Sequence, residues 1–456
     1  MVDADAVLPL RATLELCRSI SRRNLRSSIA CLAHRRRVIF LRQVTPRKLY
    51  PWTALVILTT LNFLNYIDRS VLFAVQPLVQ SEFHLTNAQV GYLTSAFLLF
   101  YMVAAPFVGP LADRYSRKLI IVLGAVFWSG LTLLTAVTHT YGELLLRHTL
   151  VGVGEATFVT IAPTFVADLF PENKRGRIFG IFYLAIPVGT AAGYLLGGKL
   201  GPSMGWRFPF YIAAFPGFLL ALAVWFLPEP PRGQFDSQTE TPERATLRGL
   251  ASNPAFWTVT LGMAAGTFSL GGIQVWMPTF MSQARGYSLE SANLIFGEIV
   301  VIDGILASLA GGWLGDRLLP RMRGSYYFVS AISMGLGVPV MIVALFNKGP
   351  LMVPAIAVAA FLLLLNTSPL NTALVNSVGS HIRATAIAVN IFLFHLLGDV
   401  PSPTLMGYVA DRRSLQTAFI LPVIAMAASS AILFYGMRFA PVVRTRDEPG
   451  GAGAPV

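Results

Sequence analysis

Long apolar runs recur along almost the whole chain, and they constrain the fold more than any other feature of the sequence. Each run is roughly 18 to 25 residues long, which allows a helix to cross a hydrocarbon layer of about 30 Å. Runs of this length predict transmembrane helices, because a helix satisfies its own backbone hydrogen bonds inside lipid. The breaks between runs predict twelve spans, at residues 52–78, 91–111, 119–138, 143–169, 177–200, 208–227, 255–281, 289–315, 325–346, 350–377, 385–409 and 416–437.

The composition argues against a soluble enzyme. Only 12% of the residues are charged and 54% are hydrophobic, which is too apolar for an ordinary globular fold. The six His are scattered, and the two Cys, Cys17 and Cys31, both precede the first span. We therefore predict no enzymatic activity, no cofactor and no metal site.

The formal net charge of +13 is concentrated at the N-terminus. Residues 1–50 contain eleven Lys and Arg against three acidic residues, and no apolar run of spanning length. This composition is typical of a disordered basic tail or of a start codon assigned too early. Contact with anionic lipid and an organelle transit segment are the alternatives. The location of the charge does not favour a nucleic-acid partner.

The longest polar interruption divides the spans into two sets of six, and it is rich in Pro, Glu, Gln, Thr and Arg. The predicted organisation is a disordered cytoplasmic tail at 1–50, six-helix bundles at 51–227 and 254–438, a cytoplasmic linker at 228–253 and a cytoplasmic tail at 439–456.

Lys and Arg cluster in the loops after spans 2, 4, 8 and 10. Because basic loops stay in the cytoplasm, this pattern predicts that both termini are cytoplasmic. Arg412 and Arg413, after span 11, are exceptions. The polar stretch 80–89 predicts a short external helix between the first two spans.

The two sets of spans resemble each other. Residues 109–114 (GPLADR) end span 2, and residues 312–317 (GWLGDR) end span 8, 203 positions later. Residues 175–176 open span 5, and residues 383–384 open span 11, 208 positions later. Nearly equal offsets indicate an internal duplication. Two parallel halves place a cavity at their interface, as alternating access requires.

Residues 109–118 (GPLADRYSRK) resemble the loop signature of the major facilitator superfamily, with Ser116 where that pattern prefers Gly. The Gly permits close helix approach, and the Asp is expected to pair across the seam between the halves until the cytoplasmic gate opens. The alternative is a basic loop that only fixes orientation. The predicted cytoplasmic gate consists of Gly109, Asp113, Arg114, Arg117, Lys118, Asp316 and Arg317.

Span 1 carries polar residues that are costly inside lipid unless they face water or a partner. Asn62, Asn65, Arg69 and Gln76 recur at helical spacing and are expected to line one face, with Asp68 at its border. A carboxylate in such a place is a candidate for proton coupling. The alternative is a structural Asp68–Arg69 pair that holds span 1 to a neighbouring helix.

Span 4 places His148 and Glu155 on one face, about 10 Å apart along the helix axis. We expect Glu155 to pair with Arg69, to be protonated, or to form a structural interhelical hydrogen bond. The superfamily has Arg at the position of His148, and Arg147 is displaced by one residue. Either His148 replaces that Arg, which makes anion binding pH-dependent, or a local shift brings Arg147 to the cavity.

Four segments together resemble the spinster family, namely residues 65–69 (NYIDR), 152–156 (GVGEA), 185–189 (AIPVG) and 398–403 (GDVPSP). The resemblance covers most of residues 52–438. It implies the major facilitator fold and the export of amphipathic lipids such as lysophospholipids or sphingosine-1-phosphate. It also implies proton coupling by the acids of spans 1 and 4.

The resemblance and the intramembrane polar residues together define a candidate site. Proton coupling is assigned to Asp68 and Glu155. Asp399 is assigned to substrate binding, and the alternative for it is a structural role at a helix end beside two prolines. Asp303 in span 8 is a further intramembrane acid. The predicted substrate-binding residues are Asn65, Tyr66, Arg69, Arg147, His148, Glu155, His395 and Asp399.

Three classes of function are compatible with this pattern. The predicted one is a proton-coupled secondary transporter of an amphipathic or organic anion. The second is a uniporter or a transporter of a small polar anion such as a sugar acid. The third is a membrane enzyme or sensor, for which the sequence shows no metal-binding or nucleophile motif. We predict an all-α, monomeric protein of the bacterial inner membrane whose partners are protons, membrane lipids and a small-molecule or lipid substrate.

Overall fold

The computed structural model describes residues 49–234, 250–378 and 382–441, and every regular element within these ranges is a helix. The centres of the predicted linker and most of both predicted tails lie outside the described residues. Twelve helical spans follow one another, three of them interrupted. They are α1 (Tyr50–Phe83), α2 (Asn87–Arg114), α3 (Arg117–Thr135), α4 (Tyr141–Ala167), α5 (Glu172–Met204), α6 (Phe208–Phe226), α7 (Pro254–Arg285), α8 (Leu289–Leu318), α9 (Ser325–Phe346), α10 (Met352–Leu365 and Thr367–Asn376), α11 (Arg383–Leu397 and Ser402–Arg412) and α12 (Leu415–Ala418 and Ile420–Gly436).

Eleven of these spans are long and apolar enough to cross a membrane. The other is α1, which has 34 residues but is less apolar because it carries Asn62, Asn65, Asp68 and Arg69. The predicted all-α membrane fold with about twelve spans is confirmed. The bounds assigned to the tails, the bundles and the linker stay a prediction.

Polar caps in the sequence explain where several helices begin. Thr86 and Gln89 form a reciprocal capping box at the start of α2, and the Ser288 hydroxyl accepts from the Ser291 backbone at the start of α8. Such caps satisfy backbone N–H groups that have no partner within the helix. Each cap lies just before an apolar run, so the loop chemistry and the hydropathy place the helix start at the same position.

The predicted external helix at residues 80–89 is wrong. The polar residues after position 79 continue α1 as far as Phe83, and His84 then turns the chain with a φ of 50°. Because the capping box at Thr86 starts a new helix, α2 begins at Asn87. The polar stretch is therefore the end of one helix and the cap of the next.

Contacts between helices of the first six spans and helices of the last six join the two bundles. α2 packs on α11, and α5 packs on α8. We define the closed end by the start of α2 (87–97) and the second segment of α11 (402–412). We define the open end by the second part of α2 (103–114) and the first segment of α11 (383–397).

The closed end is packed backbone against backbone. A Cβ at Gly91 of α2 would lie 2.2 Å from the carbonyl oxygen of Pro403, and a Cβ at Gly407 of α11 would lie 2.2 Å from that of Asn87. Since no larger residue fits these distances, the two glycines allow α2 and α11 to touch.

The open end is separated. A Cβ added at Gly109 or Gly180 would meet no described atom within 4 Å. Within 103–114 only Val108 and Ala112 are buried, whereas most of 90–97 is buried. The seam between the bundles is therefore accessible from the open end.

Candidate functional site

A buried ion pair lies midway along the first bundle. The Arg69 Nε of α1 donates to the Glu155 carboxylate of α4 at 2.7 Å. The Arg69 side chain is 15% exposed and that of Glu155 is fully buried. The pairing expected for Glu155 is thus present. Nη2 of Arg69 and Oε1 of Glu155 are buried without a hydrogen bond to any described residue, so each partner retains hydrogen-bonding capacity for another group.

Three aromatic rings surround the Arg69 guanidinium. Its Cζ lies 5.1 Å from the ring centre of Tyr66, 5.2 Å from that of Phe97 and 4.6 Å from that of Tyr101. Aromatic faces attract a cation within about 6 Å. The rings therefore hold the guanidinium in place and give the site apolar walls.

His148 and Arg147 of α4 lie in different surroundings. His148 is buried and stacks on Phe97, with ring centres 5.0 Å apart. Arg147 turns away from Arg69, because it donates to the carbonyl of Leu134 and pairs with Glu143. The structure therefore places His148 beside the site and does not bring Arg147 to it.

Asp68 faces a different helix from its neighbour Arg69. The Thr132 hydroxyl of α3 donates to the Asp68 carboxylate at 3.3 Å. Asn65, one turn before Arg69, is fully buried, and Asn62 donates to the carbonyl of Phe182 on α5. Of the polar residues predicted on α1, Arg69 thus bonds to α4, Asn62 to α5 and Asp68 to α3.

The second bundle contributes another acid and base. His395 Nδ1 and the Asp399 carboxylate are 2.8 Å apart, and both side chains are partly exposed. Asp399 lies where α11 is interrupted, close enough to Tyr101 of α2 for an electrostatic interaction. The two pairs therefore approach the seam from opposite bundles. Asp303 of α8 is buried elsewhere in the second bundle.

The residues predicted to form the cytoplasmic gate lie at the open end, and within the described residues their contacts do not cross from one bundle to the other. Asp113 and Arg114 are exposed, and no described residue of the second bundle pairs with the Asp113 carboxylate. Lys118 donates to the carbonyl of Trp225. Asp316 accepts from Tyr326, and Arg317 lies over the ring of Trp313.

Arg117 was predicted as a gate residue in a loop, but it is buried. It donates to Asp168 at 2.6 Å, and its backbone donates to Glu229. Ser116 also donates to Glu229 while capping α3. Gly109 has open space around it in this conformation.

The sequence did not reveal the polar contacts that join the bundles at the closed end. The Asp411 carboxylate of α11 accepts hydrogen bonds from the backbone of Asn87, from its amide and from the backbone of Ala88, at 2.7–2.9 Å. Tyr194 donates to the carbonyl of Gln274, and Asn293 to that of Ala74. An acidic residue directly before the exceptional Arg412 and Arg413 was the only signal of Asp411 in the sequence.

Comparisons with known proteins identify the family of this chain. The family model of the Major Facilitator Superfamily matches residues 58–403. Protein spinster homolog 1 of Xenopus laevis is 34% identical over 380 residues, which are 78% of this chain and 72% of that protein. A sphingosine-1-phosphate transporter of Danio rerio is 34% identical over 393 residues, which are 81% of this chain and 77% of that protein.

Solved structures show the same fold. A bacterial homolog to the human lysosomal transporter Spinster, in an inward-facing and unoccupied conformation, aligns with a TM-score of 0.79 at 24% identity, over 86% of this chain and 98% of that one. A D-xylose-proton symporter aligns with a TM-score of 0.67 at 15% identity, over 86% of this chain and 100% of that one. From the family model and the relatives together, the chain belongs to the spinster family of the major facilitator superfamily and is a multi-pass membrane transporter.

Proposed function

We propose that this transporter is proton-coupled and moves an amphipathic or organic anion by alternating access. The observation that supports the proposal is the Arg69–Glu155 pair, which lies next to Tyr101 inside the first bundle with an unused donor on the cation. An intramembrane ion pair of this kind marks a substrate or proton pathway more often than a structural link.

Anion binding and proton uptake are linked through competition for Arg69. A carboxylate, sulfonate or phosphate that takes over the guanidinium leaves Glu155 without its cation. An unpaired buried carboxylate costs several kcal/mol, so Glu155 then takes up a proton. Release of the anion returns Arg69 to Glu155, and Glu155 loses its proton. Asp68, which precedes Arg69 on α1, is the second acid to which we assign proton coupling.

The class of anion follows from the walls and from the relatives. Tyr66, Phe97 and Tyr101 present apolar surface next to the single guanidinium. This combination suits a molecule with an anionic head and an apolar tail. One relative is named as a sphingosine-1-phosphate transporter. We infer that the substrate is a lysophospholipid or a similar single-chain lipid anion.

The orientation in the membrane is also inferred. The open end carries basic residues such as Arg114, Arg317, Arg321 and Arg323, and basic ends remain in the cytoplasm. The described conformation is then inward-facing, with both termini cytoplasmic. We place the protein in a bacterial inner membrane as a monomer that works with protons and membrane lipids.

Transport in proteoliposomes tests the function. Purified protein is given a pH gradient and a lysophospholipid, and proton movement and lipid flux are measured together. We expect Glu155→Gln and Asp68→Asn to abolish lipid-driven proton movement, while Glu143→Gln, on the exposed part of the same helix, leaves it unchanged.

Two results would contradict the proposal in different ways. Lipid flux that does not depend on pH in the wild type would make the protein a facilitator. Flux of a sugar acid without flux of any lysophospholipid would be consistent with a transporter but would contradict a lipid anion as its substrate.

A further inference from the structure

Asp68 and Arg69 are neighbours on α1, but their side chains serve different interfaces. Arg69 turns to Glu155, whereas the Asp68 carboxylate turns to α3, and Asp68 is only 4% exposed. Thr132 donates to one carboxylate oxygen of Asp68 at 3.3 Å. The other oxygen is buried and accepts no hydrogen bond from the described residues. The ionised carboxylate therefore depends on the Thr132 hydroxyl.

The Thr132 hydroxyl leaves its own helix, unlike the hydroxyls of Thr135 and Thr60. Thr135, one turn later on α3, donates to the Leu131 carbonyl of its own helix, and Thr60 donates to that of Val56. Bonding back to the preceding turn is the usual choice for a Thr in a helix. Thr132 instead reaches an acid on another helix, which indicates a specific partnership.

The surroundings of Asp68 contain few other charges. Glu155 of α4 interacts with it electrostatically, and Arg69 is its neighbour on α1. On α3 the nearby polar group is the buried hydroxyl of Ser129, one turn before Thr132, which faces Gly217 of α6. A single hydroxyl thus has a large influence on the charge state of this carboxyl group.

We propose that Thr132 is a positioning residue for Asp68 and that its hydroxyl holds the carboxyl group against α3 in both protonation states. A hydroxyl donates to a carboxylate and accepts from a carboxylic acid. When a proton binds Asp68, the hydrogen bond reverses direction, and when the proton leaves, Thr132 donates again. No proton remains on Thr132. This role rests on the proposed proton coupling.

Infrared difference spectroscopy tests the role without a known substrate. Protein in nanodiscs is titrated with pH, and the carbonyl band of protonated Asp68 is identified by its loss in Asp68→Asn. In Thr132→Val, which keeps the shape and removes the hydroxyl, we expect this band to move and its titration curve to shift by about one to two pH units toward higher pH. Thr132→Ser should restore both, and Thr135→Val should change neither.

The outcomes separate this role from the proposed function. A band and a titration curve that are the same in Thr132→Val and in the wild type would overturn the positioning role, whatever the transport assay shows. If Thr132→Val does not fold, Thr132→Ala replaces it in the same comparison. Lipid-driven proton movement that survives Asp68→Asn would instead overturn coupling through Asp68, and the spectroscopic result would still stand.

Discussion

The Arg69–Glu155 pair joins a partly exposed cation to a completely enclosed carboxylate. The enclosed partner cannot be hydrated when its cation is lost, so the pair is more important for avoiding an isolated charge than for adding stability. This asymmetry suits a transporter, because an anion that binds the accessible Arg69 removes the ion-pair partner of the inaccessible Glu155 and so changes its protonation.

Removing one partner of the pair should therefore lower the free energy of unfolding more than removing both. We expect Arg69→Met to lower the free energy of unfolding by about 3 kcal/mol, because it leaves Glu155 buried without a cation, and we expect Arg69→Met with Glu155→Leu to recover most of the loss. Denaturant titration of the purified protein measures both. Arg147→Met breaks a more exposed pair with Glu143, so its loss should stay below about 1 kcal/mol. Equal losses for the single and double variants would show that the pair is not coupled.

At the scale of helices, the segment that follows α6 is tied to the start of α3. Ser116 and the Arg117 backbone donate to Glu229, and Arg232 donates to carbonyl groups at the end of α2, among them that of Ala112. The loop signature prefers Gly at position 116, and the structure supplies a local reason for the Ser, because its hydroxyl both caps α3 and holds Glu229.

This tie should weaken in acid. Burial disfavours the ionised form of Glu229, but the hydrogen bonds from Ser116 and Arg117 outweigh burial and lower the pKa of Glu229. Its stabilising effect is therefore complete above the ordinary Glu pKa of about 4.3 and is lost as the pH falls through the lowered value. Pro228, Pro230 and Pro231 have no amide N–H, so hydrogen exchange of Glu229, Arg232 and Gly233 reports on this segment. It should speed up relative to the intrinsic rate in that range. Glu229→Gln should exchange faster at neutral pH and lose the pH dependence.

At the closed end, the Asp411 carboxylate of α11 binds the start of α2 and so links two helices of different bundles. A carboxylate at a helix N-terminus satisfies free backbone N–H groups and interacts favourably with the helix dipole. We expect Asp411→Ala to favour opening of the closed end by about 1–2 kcal/mol, a change of about 5- to 30-fold in the ratio of conformations.

Spin labels at His84 and Lys348, which are both exposed at this end, measure the ratio as a distance distribution. Longer distances should gain population in Asp411→Ala. The neighbouring Arg412 stacks on Tyr408 of its own helix, so Arg412→Ala should leave the distribution unchanged. The same shift in both variants would show that the loss of any charge at this end opens it, and would contradict a specific role of the Asp411 hydrogen bonds.

At the scale of the whole molecule, the inferred orientation makes the open end cytoplasmic. With Cys17 and Cys31 replaced by Ser, a single Cys at Tyr115 should react with an impermeant thiol reagent in inverted vesicles and not in intact cells. A single Cys at Lys348 should show the opposite pattern. Labelling of Tyr115→Cys from outside intact cells would show that the open end faces the outside and would contradict the inferred orientation.

The twelve helices were predictable because long apolar runs and polar caps both act within a few residues of the chain. The pairing of Arg69 with Glu155 was foreseen as one of three possibilities, since few groups inside lipid can neutralise an acid. The partner of Asp68 was not foreseen, because helical spacing placed it at the border of a face and only packing against α3 decided its direction. The conformation was not predictable either, since one sequence must support both an open and a closed arrangement of each end.

The contact of α2 with α11 at Gly91 and Gly407 has a consequence for trapping the protein. Because each glycine leaves no gap between the two backbones, a single methyl group there acts as a steric wedge. Gly91→Ala or Gly407→Ala would hinder only the conformation in which these helices touch. The opposite conformation, in which the seam opens to the other side of the membrane, would then be enriched and could be crystallised.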